Sequence, residues 1–299
     1  MTIDRLGKRK LKKKEKRMRR CGVKGMVAIL AIALVLGLAA PGFSQGKWVF
    51  GIKGDVTLVE PFVVGGDWTE KWNDEVDPLN DDLQDTADFL EALGGDVTLN
   101  TAEKITRGYS VHAYLERRIS EKFGIRTSVE YLMGMSSDYG YDATGYWSGI
   151  WGDWLDATEE YEMSASALKV ALAPRLILPM GNWVLNFGAG PLYCRASASM
   201  SDNGELVGDW WGDIGWYTYE ATYTGSGFGF YGDIELKIPL GGMAIDVEVG
   251  YESTGKIDVE GTATYEEEYL GVPFEDEWDV EGALDFSGPY VAVSLEFPF

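Results

Sequence analysis

His112 is the one histidine in the chain, and therefore the only candidate for imidazole chemistry. Beside a hydroxyl or carboxylate it could act as a general base. No Gly-x-Ser-x-Gly, His-Glu-x-x-His or glycine-rich phosphate pattern accompanies it. The residues around it alternate. Ser110, His112, Tyr114, Glu116 and Arg118 interleave with Tyr109, Val111, Ala113 and Leu115. A period of two puts the polar set on one face of a strand and the apolar set on the other. His112 then reads in two ways, as a hydrogen-bonded member of a polar interior or as a catalytic base. Alternation alone is enough for the first.

The charged residues with the same spacing form a longer series. On the polar faces of successive segments stand Lys53 and Asp55, Glu116 and Arg118, Arg126 and Glu130, Lys169 and Arg175, Asp233, Glu235 and Lys237, and Asp246, Glu248 and Glu252, with Glu296 last. Both signs are present, with acids in excess. If these faces turn inward together, the charges must be paired and hydrogen-bonded. One reading is a salt-bridged polar plug. The other is a narrow water-lined path for small cations.

Eight segments must position this set: 47–59, 109–119, 123–135, 167–178, 183–198, 227–238, 243–252 and 288–299. Each alternates. In the last, Val291, Val293, Leu295, Phe297 and Phe299 oppose Tyr290, Ala292, Ser294, Glu296 and Pro298. Three connections are short: Ser120-Glu-Lys122, Pro179-Met-Gly-Asn182 and Pro239-Leu-Gly-Gly242. Four are long, at roughly 60–107, 136–162, 199–225 and 255–284. Trp48, Phe123, Trp183, Phe297 and Phe299 fall near the short-turn end, and Tyr109, Tyr131, Tyr193, Phe228 and Tyr251 near the long-loop end. An even number of strands, short turns on one side, long loops on the other and two aromatic girdles predict an all-β protein. Its form is an eight-stranded antiparallel up-and-down transmembrane β-barrel with short periplasmic turns and long extracellular loops. Eight strands enclose only enough room for side chains.

The leader agrees with this placement. Lys8 to Lys24 is densely basic, Met26 to Ala40 is apolar, and Pro41-Gly-Phe-Ser44 follows. That order predicts a signal peptide over 1–44 and a barrel over 45–299. Fifteen apolar residues are short for a membrane anchor. The net charge of −22 sits on a chain whose first 46 residues are strongly basic, so the remainder is more acidic still. Such a chain repels nucleic acid. Cys21 lies in the leader and Cys194 stands alone afterwards, so a processed chain has no disulfide.

The leader, the eight segments, Asn186-Phe-Gly-Ala-Gly-Pro191 and Phe286-Ser-Gly-Pro-Tyr290 leading to Phe299 resemble the small outer-membrane barrels of the OmpA/OmpX/OmpW type. The likeness is one of pattern over 47–299. It implies the bacterial cell outer membrane as location, lipid as partner, and insertion by the assembly machinery through the strand ending at Phe299. Envelope enzymes built on barrels, such as lipid A deacylases, phospholipases and omptin-type proteases, use a histidine with Ser, Asp or Glu. His112 pointing into the lumen fits neither a lipid-facing nor a rim position.

The long connections hold most of the 48 acids, and their only bases are Lys71, Lys104, Arg107 and Lys256. Asp81, Asp82, Asp85, Glu159, Glu160, Glu266 to Glu268 and Glu275 to Glu277 could attract divalent cations weakly. None has the spacing of a calcium loop, so a solvated anionic coat accounts for them equally well. No other cofactor is implied. Trp147, Trp151, Trp154, Trp210, Trp211 and Trp216 continue the alternation, so these hairpins are expected to rise beyond the membrane. Their aromatics either pair across strands or contact an extracellular ligand, whose identity is unknown. In the first connection, Asp77-Pro78 followed by Leu79, Leu83, Ala87, Leu90 and Leu93 predicts a short amphipathic helix with Asp77 as cap and Pro78 as first residue. The function expected is a non-enzymatic structural or surface-interaction role. A narrow cation-selective pore is the alternative, and an envelope enzyme ranks below both.

Overall fold

The computed structural model describes residues 48–64, 70–147, 153–208 and 212–298. The leader, Trp151, Trp210, Trp211 and Phe299 lie outside them. The described residues form thirteen strands and one helix: β1 (Trp48–Thr57), β2 (Phe62–Val64), β3 (Glu70–Lys71), α1 (Trp72–Ala92), β4 (Gly95–Asn100), β5 (Gly108–Arg118), β6 (Phe123–Trp147), β7 (Asp153–Met180), β8 (Trp183–Gly208), β9 (Gly212–Leu240), β10 (Met243–Ser253), β11 (Lys256–Tyr269), β12 (Val272–Asp285) and β13 (Gly288–Pro298).

Eight of the strands close a ring. The antiparallel order is β1, β5, β6, β7, β8, β9, β10 and β13, and β13 returns to β1 with Val49 opposite Pro298 and Val56 opposite Val291. This is the predicted barrel, with all three predicted short turns. Two of them are two-residue connections whose first residue, Gly181 or Gly241, has φ of 66° or 71°. Tight hairpins that match strand twist need that left-handed backbone, which glycine supplies without steric cost. The outward faces are apolar. Phe228 and Phe230 are 81% and 71% exposed, and Leu172, Val249, Val291, Val293 and Leu295 are also exposed. Large apolar side chains directed outward around a closed ring are the lipid-facing surface of an outer-membrane-type barrel. No described helix is long and apolar enough to cross a membrane, so the crossing is made by strands.

A membrane strand needs about 9–11 residues. β6 to β9 run to 25, 28, 26 and 29 residues, so they continue well past the lipid. Above the membrane the ring changes membership. β1, β5, β10 and β13 stop, β11 and β12 join β9, β2 and β3 follow β12, and β4 joins the free edge of β6. The β6–β7 and β8–β9 hairpins thus rise beyond the membrane as their alternation predicts, and 255–284, expected as a loop, is mostly strand as well. α1 packs against β3 and β4 at the two ends of this upper sheet.

The helix begins earlier than its sequence signature predicts. α1 starts at Trp72 after Lys71, which gives no side-chain cap, and Pro78 lies inside it. Asp77 pairs instead with Lys104 at 2.7 Å. Tertiary contacts override the Asp-Pro start signal. Trp72 and Val76 are buried, and Trp72 Nε1 donates to Glu103 O at 3.2 Å. Asn73 donates to Ile105 O at 2.9 Å and accepts from Ile105 N at 2.8 Å. Asn80 does the same with Ala102, at 3.1 and 2.8 Å. These bonds satisfy irregular backbone that burial would otherwise strand. They can offset the one helical hydrogen bond that proline removes.

Candidate functional sites in the lumen and at the extracellular rim

Alternation around the ring turns one polar side chain of every second residue into the lumen. Lys53, Asp55, Glu116, Arg126, Glu130, Lys169, Arg175, Asp233, Glu235, Lys237, Asp246 and Glu248 are all buried there, joined by Glu252 and Glu296. Arg118 is the exception among the predicted network. Its side chain is 37% exposed and lies 3.8 Å from Glu116, at the short-turn end of β5. It is the last residue of the strand, so its inward parity does not bury it.

Arg126 is the centre of the lower part. Its guanidinium lies 2.9 Å from Glu116, 2.6 Å from Glu235, 3.3 Å from Glu296 and 3.5 Å from Glu248. It also stacks on Tyr114, 4.1 Å from the ring centroid. Arg175 contacts Asp233 and lies 3.1 Å from Glu235, and Lys237 contacts Glu296. In the upper part Lys53 meets Glu248 at 2.8 Å, and Lys169 meets Glu130 at 3.0 Å and also Glu252. Carboxylates outnumber cations, and neutral donors serve several of the remaining oxygens. Tyr290 donates to Glu248 at 2.6 Å, Tyr114 to Glu296 at 3.0 Å, Ser294 to Asp246 at 2.8 Å, Asn186 to Glu235 at 2.5 Å and Thr57 to Asp55 at 3.1 Å. Parity marks these neutral residues as inward. Their part in the network carries no separate sequence signal.

His112 sits in this upper part and is buried. Its Nε2 contacts Asp55 and lies 2.7 Å from Ser110 Oγ and 3.6 Å from Glu130. Ser, His and Asp are together, yet all three oxygens converge on one ring nitrogen. A hydrolytic relay needs the carboxylate on Nδ1 and the hydroxyl on Nε2. Here one nitrogen would have to accept from the serine while serving the aspartate. The geometry is that of a hydrogen-bonded network.

Among the described residues, two groups have donor atoms within 4.8 Å of one another and could share an ion: Asp55, His112 and Glu130, and Glu235, Asp246 and Glu296. Their carboxylates already serve the cations and hydroxyls named above. A void of about 10 Å³ beside His112, lined also by Lys53, Glu130, Lys169 and Tyr290, has room for about one water. The loop acids proposed for divalent cations behave differently. Glu159 and Glu160 are consecutive on β7, so they point to opposite faces and cannot share one ion.

Directly above the network the interior becomes apolar. Leu132, Ala167, Ala196, Gly225 and Val259 are direct partners across five strands. Met135, Met163, Ala165, Cys194, Ala198, Ala221, Ile257, Leu284 and Phe286 pack with them, and Trp72 and Val76 of α1 close the layer from above. On β6 the change needs a bulge between Leu132 and Met135, with Gly134 at φ 77°. The inward parity switches there from even to odd residues.

Higher still, the inner face turns aromatic and acidic. Tyr139 stacks on Tyr161 with centroids 4.6 Å apart, Tyr217 lies 6.2 Å from Tyr265, and Tyr219 lies 6.0 Å from Trp278. Tyr217 donates to Asp202 at 3.1 Å and Tyr265 to Glu267 at 2.7 Å. A cleft of about 290 Å³ opens here, lined by Tyr141, Glu159, Gly204, Tyr217, Glu267 and Tyr269, with Trp216 at its margin. Burial, and then the neighbouring Asp202 charge, raise the Glu159 carboxyl above its ordinary value. Burial also raises Asp202. Of the six predicted tryptophans, Trp216 is the one whose side chain is described. Trp147 and Trp154 are placed as strand residues only, Trp154 opposite Tyr146.

No protein-family model matches the chain, and no curated protein does. Among solved structures it is similar to the outer membrane protein OprG of Pseudomonas aeruginosa. That match has a TM-score of 0.38 and 11% identity over 85% of this chain and 97% of the other. The attachment invasion locus protein Ail of Yersinia pestis matches with a TM-score of 0.34 and 8% identity over 85% and 100%. The outer membrane protease OmpT of Escherichia coli matches with a TM-score of 0.28 and 10% identity over 86% and 98%. Scores at this level carry no argument about activity or ligand. The closed strand pairing, the outward apolar belt and the charged lumen make the chain an eight-stranded transmembrane β-barrel of the outer-membrane type.

Proposed function

We propose that the protein is a non-enzymatic surface-interaction barrel of the bacterial outer membrane. The eight strands anchor it, and its extracellular extension does the work. The observation that carries this reading is the double closure of the lumen. Arg126, Lys53, Lys169, Arg175 and Lys237 are all locked to carboxylates at membrane level, and the apolar layer from Leu132 to Val259 seals the barrel above them. A cation path would have to part both. Most of the acids, by contrast, and the aromatic cleft are on the extension.

Two measurements on the refolded mature chain test the reading. In a planar bilayer, protein shown to be folded by heat-modifiable migration should give no conductance steps. Steady cation-selective steps would instead establish the pore and direct attention to Glu130, Asp233 and Glu248. Residues 141–159 and 204–217 can each be replaced by an Asn-Gly turn, because Gly140 opposes Glu160 and Asn203 opposes Thr218. Such a trimmed barrel should lose attachment to intact cells or matrix-coated surfaces. Undiminished attachment would refute the role given to the extension.

A further inference from the structure

We propose that the cleft on the inner face of the extension binds a compact organic cation, a protonated or quaternary amine, between the rings of Tyr141, Tyr217 and Tyr269 and the carboxylates of Glu159 and Glu267. The inference rests on the surface-interaction reading and specifies its ligand. Five strands contribute: β6 gives Tyr141, β7 Glu159, β8 Gly204, β9 Gly215 and Tyr217, and β11 Glu267 and Tyr269. The small inward residues Gly204 and Gly215 make room for the large rings of the lining. A Cβ on Gly204 would come within 2.1 Å of the Tyr217 ring, so a larger residue there would displace it.

Charge and shape point to the same ligand class. On the inner face the cleft carries Glu159 and Glu267, with Asp202 two residues from Gly204 on the same face; Glu205 and Glu268 stand on the outer face of its rim, and among the described residues no Lys or Arg lines it. The adjoining hairpin segments 136–162 and 199–225 contain no Lys or Arg in the sequence either. Glu159 and Asp202 are half-buried diagonal neighbours on paired strands, and both hold their protons more tightly than usual. A bound cation would relieve that repulsion, whereas a neutral sugar would leave it in place. Tyrosine faces attract ammonium groups through their ring quadrupole, most strongly where water is partly excluded. The volume suits a ligand at the small end of the usual range of pockets. A bare divalent ion would meet the charges but not the rings.

The test uses the folded full-length mature chain and two probes, choline and its uncharged carbon isostere dimethylbutanol, followed by calorimetry in detergent. Choline should bind and the isostere should not. The Glu159→Gln/Asp202→Asn double variant and Tyr217→Leu should each weaken choline about tenfold or more. Heat-modifiable migration identifies variants that still fold, and Tyr141→Leu serves if Tyr217→Leu does not. Equal binding of both probes, choline binding indifferent to all the variants, or competition by Ca²⁺ that leaves Tyr217→Leu without effect would each overturn the assignment. Wild-type protein that attaches to surfaces but ignores choline removes the amine and leaves the surface role standing. Conductance steps would remove the surface role itself.

Discussion

The membrane barrel and its extracellular extension are built from the same strands with opposite polarity. β7 shows the change most directly. Towards its short-turn end Lys169 and Arg175 face in and Leu168, Leu172 and Leu176 face out. Beyond Leu168, Ala167, Ala165 and Met163 face in and Ser166, Ser164 and Glu162 face out. β9 repeats it, with Phe228 outward on one side of the boundary and Ser226, Thr224 and Thr222 on the other. In lipid the outside must be apolar, and the enclosed space takes the polar groups. In water the outside is polar, and just beyond the membrane the interior becomes the apolar core of a soluble sheet. The boundary is one row of direct partners, Leu132, Ala167, Ala196, Gly225 and Val259. The two regions are therefore held together by different forces and should fail differently.

Arg126→Met is the largest expected break. It leaves Glu116, Glu235, Glu248 and Glu296 without their shared cation in a space that admits almost no water. Removing one partner of a buried charge set costs about 3–5 kcal/mol. The urea midpoint of folding in detergent should fall accordingly, with Arg126→Lys between it and wild type. A Met variant as stable as wild type would mean that the lumen is held by packing rather than by charge.

Trp72→Ala addresses the other region. Truncating a buried tryptophan costs about 3 kcal/mol or more. Here the loss should be local, because Trp72 ties α1 to the segment around Glu103 and to the apolar layer. Limited proteolysis should open residues 72–106 while the barrel keeps its midpoint. Cys194, buried in the same layer, should become reactive to maleimide. If the whole barrel melts with the helix, the two regions are one cooperative unit.

How much of this was legible in the sequence follows from the same division. Within the membrane each strand obeys one rule, apolar out and polar in, so alternation alone identified the eight strands, their turns and nearly all of the network. Arg118 still pairs with Glu116 but is part-exposed, because parity says nothing about depth. In the extension the rule inverts; alternation around Trp147, Trp154 and Trp216 still marks the rising hairpins of β6 to β9, whereas 255–284 reads as loop although β11 and β12 form there. The bulge at Gly134 also shifts the phase of β6 in mid-strand. The cleft depends on β11 pairing with β9 rather than with its sequence neighbour β10, which sets Glu267 opposite Tyr217. Periodicity within one segment has no access to that choice. The start of α1 was hidden for a related reason. Asp77-Pro78 is a strong local signal, but Trp72 and Asn73 are fixed by partners about 30 residues away.

The extension should also respond to pH in a way of its own. Glu159 and Asp202 have ordinary values of 4.5 and 3.8 and are raised in the fold. The folded extension then binds their protons more tightly than the unfolded chain. Stability from this pair is complete below the ordinary carboxylate range and declines as pH rises through the raised values. Half-exposure and solvent screening keep the effect below about 1 kcal/mol. Proteolysis of the extension, measured between pH 4 and pH 8, should show the decline in wild type and not in Glu159→Gln/Asp202→Asn. Identical slopes in the two proteins would show that other groups govern it.

The smallest predicted effect lies in the register of charges. In the lumen, direct strand partners carry opposite signs: Glu116 with Arg126, Glu130 with Lys169, and Lys237 with Asp246. Where Glu235 falls opposite Glu248, Arg126 reaches both. On the extracellular hairpin of β11 and β12, like charges face each other, Glu260 with Glu281 and Glu266 with Glu275. Water screens the second arrangement and cannot reach the first, so only the lumen has to be paired. Opposed like charges still cost a few tenths of a kcal/mol up to about 1. Glu275→Lys should therefore stabilise the hairpin by that amount, seen as slower cleavage near Leu270, and the gain should shrink in high salt. Calcium should slow cleavage of the wild-type hairpin more than that of the variant if Glu266 and Glu275 share the weak divalent binding expected of these loops. A variant that is no more stable at low salt would show that the hairpin acids are too well hydrated for their register to matter.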